Sequence, residues 1–241
     1  MAHAVPEFQF SDDALKLRQL LYEYWCARGH GPNLRAVHEA TGFARDRILA
    51  LYRELDLGLI CTVDHDSQNG NLLKLQPFSS YPSQVEVHLD GAFHCWAGCA
   101  MESIAISRMP PFAGKELRLE SYCACCLAPV TLTARDGELL SRRPESIRIH
   151  VSTSPRDWNK TNIVAMCDSM NYVLDAEHAE RFERQTCRRG VLFTLEQAQR
   201  FVADTGKNRM WHYAWPPARV VPERIIAGVK ALGVDVTSWD G

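Results

Sequence analysis

At 241 residues with 46% hydrophobic side chains, the chain carries enough apolar material for one large domain or two small ones without covalent staples. A net charge of −2 and a pI near 6.5 exclude the global basic field that drives non-specific nucleic-acid binding or adhesion to anionic membranes. The start MAHAVPEFQFSDD has neither the basic beginning nor the apolar core of a signal peptide, and no apolar run approaches the roughly 18 residues that span a bilayer, so a cytoplasmic location with small-molecule or protein partners is expected.

The chain opens with a helical pattern. Leu17, Leu20, Leu21, Tyr24 and Trp25 recur at three- to four-residue spacing, which predicts a helix from Asp13 that ends at the turn Gly29-His30-Gly31-Pro32. A short helix over Leu34–Ala40 follows. After the turn Thr41-Gly42 comes a third helix over Arg45–Leu55, with Ile48, Leu49, Tyr52 and Leu55 facing inward. The apolar runs Leu59–Val63 and Leu72–Leu75 around a turn at Asp64–Asn71 complete the order of a winged helix-turn-helix. Such a fold suggests DNA reading. Here, however, Arg45, Arg47 and Arg53 of the third helix are nearly cancelled by Asp46, Glu54 and Asp56, so a packing module with no nucleic-acid partner is expected.

Pro77–Pro82 (PFSSYP) has the composition of a linker, dividing a winged-helix-like domain (1–76) from a second domain (83–241). In the latter, Val85, Val87 and Leu89 alternate as a strand, and Cys99–Ser107 has the pattern of a buried helix. Glu116–Tyr122 and Pro129–Ala134 alternate as strands joined by a turn at Cys123–Leu127, and Ile147–Val151 is a further strand. Helices are expected over Ala176–Cys187 and Leu195–Thr205. Trp211–Pro217 and a last helix over Pro222–Leu232 form a C-terminal extension. The fold class is α+β, with a small, mainly antiparallel sheet in the second domain.

Nine cysteines, an odd number in a chain that needs no disulfide framework, point to metal binding or catalysis in a reducing compartment. Cys26, Cys61 and Cys187 stand alone and fit the behaviour of small buried hydrophobes. Reactive side chains concentrate in Phe93-His94-Cys95-Trp96-Ala97-Gly98-Cys99-Ala100-Met101-Glu102-Ser103. With a helix beginning near Gly98, Cys99 and Glu102 share a face about 5–6 Å apart at their β-carbons. The helix N-terminus favours the thiolate of Cys99, while an apolar setting favours a protonated Glu102. Cys123 and Cys126 supply one C-x-x-C knuckle. No second knuckle exists, and Cys95 with Cys99 would complete a four-cysteine site only at unusual spacing, so structural zinc is not expected. Cys167 ends the apolar run Ile163–Met166, as a buried strand or short helix would.

Three separated segments, in order, resemble the organomercurial (alkylmercury) lyase family. Pro77-Phe78-Ser79, Val85–Val87 and the W-x-x-C-A-M-E-S run from Trp96 to Ser103 are similar to the family's aromatic residue followed by Cys-Ala-Leu-Asp-Thr. Pro111-Phe112, Tyr122-Cys123 and Ala128–Thr133 resemble its second segment. Cys167 with Ala176-Glu177 and Ala179–Phe182 resembles its third, and the likeness runs from about residue 13 to 200. It implies that Cys99 and Cys167 are mercury-binding thiols, Glu102 the acid and Cys123 a structural thiol; apart from the resemblance, Cys95, Cys123 and Cys126 are candidate accessory thiols. It also implies that no cofactor is required beyond the organomercurial or Hg(II) handled as substrate and product. Low-molecular-weight thiols or a mercuric reductase would be the Hg acceptors. This sequence departs from the pattern in having glutamate where the family's acid is aspartate, and Gly98 where tryptophan directly precedes the first cysteine. Cys95, Cys125, Cys126 and the C-terminal extension are additions. These departures leave two alternatives: the lyase scaffold turned to another reaction, for instance in secondary metabolism, or a thiol-based metal-binding regulator.

Overall fold

A computed structural model of the chain describes residues 9–64, 69–158, 163–206 and 221–239. Helix α1 (Asp12–Arg28) starts where Ser11 Oγ accepts the Ala14 N–H and stops at Gly29 in the left-handed conformation. Helix α2 (Leu34–Thr41) is capped by Asn33 and α3 (Arg45–Leu57) follows. Leu17, Leu21, Tyr22 and Trp25 of α1 pack with Ile48, Leu51, Tyr52 and Leu55 of α3 in one core. Leu51 takes the buried position expected for Leu49, which is only partly covered.

Eight strands form one antiparallel sheet: β1 (Cys61–Val63), β2 (Leu72–Leu75), β3 (Phe78–Ser79), β4 (Glu86–Leu89), β5 (Ala92–Ala97), β6 (Glu116–Tyr122), β7 (Pro129–Arg135) and β8 (Glu138–Arg143). Their order is β1-β2-β3-β5-β4-β6-β7-β8. The sheet expected to be small is therefore long. The two strands anticipated as a wing are its first edge, and the stretch anticipated as a linker contributes β3, which pairs with both β2 and β5. The β4–β5 and β7–β8 hairpins turn at Asp90-Gly91 and Asp136-Gly137, all four residues having positive φ, as two-residue hairpin turns require.

A second, three-stranded antiparallel sheet has β9 (Arg148–Val151) between β10 (Met170–Val173) and β11 (Val191–Thr194). Around these sheets lie α4 (Ala100–Ile106), α5 (Pro155–Trp158), α6 (Ile163–Asp168), α7 (Ala176–Thr186), α8 (Leu195–Gly206) and α9 (Pro222–Ala231). The final helix is not an appendage. α9 packs against α5 and α8, and beyond it the Trp239 indole donates to Val151 O and its ring meets Phe193. The expected Trp211–Pro217 feature lies outside the described residues. Cys26 and Cys61 are buried as expected, but Cys187 is exposed, because it caps α7 in the left-handed conformation. Among the described residues no helix is long and apolar enough to cross a membrane.

The helices and the long sheet meet where the Trp25 indole stacks on Phe78 of β3, ring centroids 5.6 Å apart and planes 11° from parallel. Both rings are fully buried. Trp25→Ala is expected to cost about 3–5 kcal/mol, measured by chemical denaturation. A loss below about 1 kcal/mol would mean that helices and sheet do not share a core at this point.

Candidate active site

Strand β5 delivers the chain to Gly98, whose N–H is held by Pro77 O at 2.6 Å. Cys99 then adopts an extended conformation (φ −164°, ψ 176°) as the N-cap of α4, so the helix begins one residue later than the sequence suggests. From that position its Sγ accepts the Glu102 N–H at 3.4 Å. Every residue of α4 is buried, Glu102 included, at 5% exposure. Cys167, near the end of α6, is 1% exposed and donates its thiol hydrogen to Glu102 Oε2 at 3.3 Å. The Cys99 and Cys167 sulfurs and a Glu102 carboxyl oxygen thus come together within 4.8 Å of one another, although 65 residues separate the last two in sequence. Met170 on β10 adds a thioether, with its Sδ 3.7 Å from Cys99 Sγ.

Tyr172 locks this geometry. Its hydroxyl donates to Ala100 O at 3.1 Å and pairs with Ser103 Oγ at 2.9 Å, tying the first turn of α4 to β10. Gln84 joins β10 to the long sheet. Its side-chain oxygen accepts the Tyr172 N–H at 2.9 Å, and its amide nitrogen donates to Tyr122 O at 2.9 Å.

Lys74 is wholly buried, on a strand of the presumed wing. Its ammonium donates to Gly98 O at 2.9 Å and to Asp168 Oδ1 at 2.5 Å. Those acceptors immediately precede Cys99 and follow Cys167, so one cation holds both cysteine-bearing segments. The ring of Tyr81 lies beneath it at 5.4 Å. Burial opposes the lysine's charge, but the neighbouring Cys167 and the Asp168 carboxylate outweigh it and hold Lys74 above the ordinary lysine range.

Burial pushes the Cys99 thiol up, with the nearby Glu102 adding to the effect, while the Cys167 hydrogen bond, the Glu102 N–H and Lys74 pull the other way. Burial wins. Cys167 is driven well above the usual thiol range, again by burial first. The lowered thiol pKa expected from the helix N-terminus is therefore overturned: one N–H contact does not offset burial.

Gly98 has a steric role. A β-carbon there would lie 2.0 Å from Glu102 Oε2 and 3.4 Å from Pro77 O. The two departures at positions 98 and 102 are thus linked, because the longer acid fills the space that a side chain at 98 would need. The thiols open onto a cavity of about 620 Å³ walled by Tyr81, Trp96, Tyr122 and Met170 among others.

The remaining cysteines lie apart. Cys95 points away from the cavity-lining Trp96 that follows it, and neighbours Cys26. Cys123 and Cys126 occupy the turn after β6, where Cys123 is buried with Val173 and Ala179 in a separate small core. Sequence reading missed Lys74, Met170 and Tyr172. The charge in Leu72-Leu73-Lys74-Leu75 was a visible sign, since a lysine inside an apolar strand must find an anion or a carbonyl. The other two resemble ordinary core residues.

Two thiols lining a cavity, with a buried carboxyl group in contact with one of them, are the donor set that a soft metal prefers. The alkylmercury lyase (MerB) family model matches residues 78–206, more than half of the chain, and the chain belongs to that family. Among solved structures it is similar to the mercury-bound form of MerB2, with a TM-score of 0.65 and 20% identity over 83% of this chain and 92% of that one. No curated protein matches it.

Removing the cation in Lys74→Met takes away a charge that favours both thiolates. The pH at which Cys99 and Cys167 are alkylated by iodoacetamide should therefore move upward, by about one unit or more. Peptide mass spectrometry across a pH series reads the shift. An unmoved profile in a variant of normal melting temperature would reduce Lys74 to a backbone tie.

Proposed function

We propose that this member of the alkylmercury lyase family cleaves carbon–mercury bonds by protonolysis, with Cys99 and Cys167 as the mercury-binding thiols and Glu102 as the acid. The observation that carries the reading is the meeting of the two sulfurs and the carboxyl oxygen within 4.8 Å of one another in a buried site. A carbon–mercury bond resists water, but two thiolates on mercury raise electron density at the carbon, and a held proton can then break the bond.

The atoms balance without a cofactor. An organomercurial bound to a small thiol exchanges onto Cys99: its sulfur bonds mercury, and the departing thiolate takes the Cys99 proton. Cys167 passes its proton along the existing hydrogen bond to Glu102 and becomes the second thiolate on mercury. Glu102 delivers that proton to carbon as the carbon–mercury bond breaks. The products are the hydrocarbon and Hg(II) on two cysteines, with Glu102 as carboxylate. Lys74 offsets negative charge on the thiolates throughout, and Tyr172 keeps Cys99 and Glu102 in register. Exchange with two external thiols frees the metal and returns both cysteines to the protonated state that burial favours. Low-molecular-weight thiols or a mercuric reductase are the acceptors, and the cytoplasm, rich in such thiols, is the compartment.

We read residues 1–76 as a winged-helix-like packing module, kept because β2 supplies Lys74 rather than because it reads DNA. Residues 83–241 carry the remaining catalytic groups. The alternative of a thiol-based regulator makes a different demand, since it needs a basic recognition face. α3 instead exposes Arg45 and Asp46 as an ion pair, and its Arg47 binds Asp13 of α1. We expect no sequence-selective, salt-dependent shift of DNA from the protein's own operon in a gel assay at physiological salt, and such a shift would restore the regulator.

Glu102→Gln keeps the size of the side chain but not its transferable proton. Phenylmercury should still bind Cys99 and Cys167, while single-turnover release of benzene falls roughly 10²- to 10⁴-fold. Gly98→Ala, which forces the Glu102 carboxyl to move, should also slow release without preventing binding. Undiminished release by Glu102→Gln would assign the proton to another group, and no release by the parent protein would point to another reaction on this scaffold.

A further inference from the structure

We propose that the turn after β6 is a second mercury site, in which Cys123 and Cys126 together bind Hg(II) delivered as a complex of low-molecular-weight thiols. The inference rests on the reading above only for the source of the metal.

The turn is built as a chelate. The Cys123 N–H donates to Ala128 O at 2.8 Å and the Leu127 N–H to Cys123 O at 2.8 Å, with Leu127 left-handed at φ 63°. This reversal sets Cys126 three residues on beside Cys123, near enough for the two thiols to influence one another. The backbone N–H groups of Cys125, Cys126 and Leu174 lie near enough to the Cys123 sulfur to favour its thiolate, against the burial that opposes it. Such donors stabilise a metal-bound thiolate. Cys123 is fully buried and Cys126 exposed, so a metal arriving from solvent meets Cys126 first and is then closed in by Cys123.

The donor number selects the metal. Among the described residues no further cysteine, histidine or carboxylate joins this pair in a three-ligand group, which leaves zinc short of its four ligands. Hg(II) is satisfied by two thiolates. Position suggests the use: Tyr122, the residue before Cys123, walls the catalytic cavity, and the Ala124 N–H is fixed to Tyr172 O at 2.8 Å. The dithiol therefore stands just behind the cavity wall, where it can recapture Hg(II) that small thiols have carried off Cys99 and Cys167.

The step is an exchange without redox change. Two bonds from mercury to the small thiols break and two to Cys123 and Cys126 form, and the two cysteine protons leave on the departing thiols. One complex is consumed and two thiols are released. The second sulfur binds intramolecularly, so the pair holds the metal against a thiol concentration that would strip any single cysteine.

Native mass spectrometry of the full chain titrated with HgCl₂ in excess glutathione tests this. The parent should retain two Hg(II), Cys126→Ser one and Cys99→Ser/Cys167→Ser one, whereas Cys125→Ser should retain both. Adding Cys126→Ser to the double variant should remove the last equivalent. Two equivalents retained by Cys126→Ser, or none by the double variant, would overturn the second site. A parent holding one equivalent that Cys126→Ser abolishes and the double variant keeps would instead sustain this site and refute the catalytic pair. Because Cys126 is exposed, its serine variant tests the site without disturbing the core that Cys123 occupies.

Discussion

The Lys74 ammonium lies between the carbonyl that leads into Cys99 and the carboxylate that follows Cys167, and the paired-thiol site is held together by that bridge. Burying a lysine is costly unless the charge is paired and its donors are satisfied. Here one partner is a main-chain carbonyl and the other is Asp168, whose side chain is about half exposed, so the ion pair keeps contact with water on the acid's side. The arrangement draws three distant stretches together, around residues 74, 98 and 168. It also explains why the helical N-terminal region and the long sheet belong to one hydrogen-bonded assembly. β1 and β2 are an edge of the sheet that carries the cavity wall, and Lys74 reaches from that edge to the segments that bear the two cysteines.

Complete burial of the two thiols sets the character of the site. A pair of free thiolates in this position would carry two negative charges beside a carboxyl group, with one ammonium to offset them. Burial favours the protonated sulfurs instead, so neither thiol adds a charge to the resting site. Mercury changes the balance because each sulfur exchanges its proton for a metal bond. In the proposed reaction one of these protons leaves with the incoming complex's thiol and the other passes through Glu102 to carbon. A site whose thiolates existed beforehand would need another proton source. The raised thiol pKa values are therefore compatible with a protonolytic function.

Much of this was legible in the sequence where periodicity and spacing are local. The three N-terminal helices, the β6–β7 pair, α7 and α8 all follow from apolar spacing, and Cys99, Glu102 and Cys167 from motifs that resemble the family's. What escaped was non-local or lacked a periodic signal. β5, β8, β10 and β11 are short or have exposed faces, and the two Asp-Gly pairs that turn the β4–β5 and β7–β8 hairpins were the unused signal for two of them. The PFSSYP stretch reads as a linker by composition, yet Phe78 is a buried stacking partner of Trp25, and two residues of strand suffice to join β2 to β5. Local propensity cannot report that a third segment will supply the hydrogen-bonding edge.

The same limit applies to Gly98 and Glu102. In sequence they are two separate departures from a family pattern, each weakening the resemblance at the place where it matters most. In space they compensate, since the carboxyl oxygen lies 2.0 Å from where a β-carbon at 98 would be. An aspartate at 102 would end one methylene short and leave that volume empty. Conversely, any side chain at 98 would push the glutamate off the Cys167 thiol from which it receives its hydrogen bond. Together the two residues hold a single acid-to-sulfur contact, the one on which the proposed protonation step relies. The chemistry constrains the position of the carboxyl oxygen relative to the sulfurs, and glutamate beside glycine is one way to hold it there.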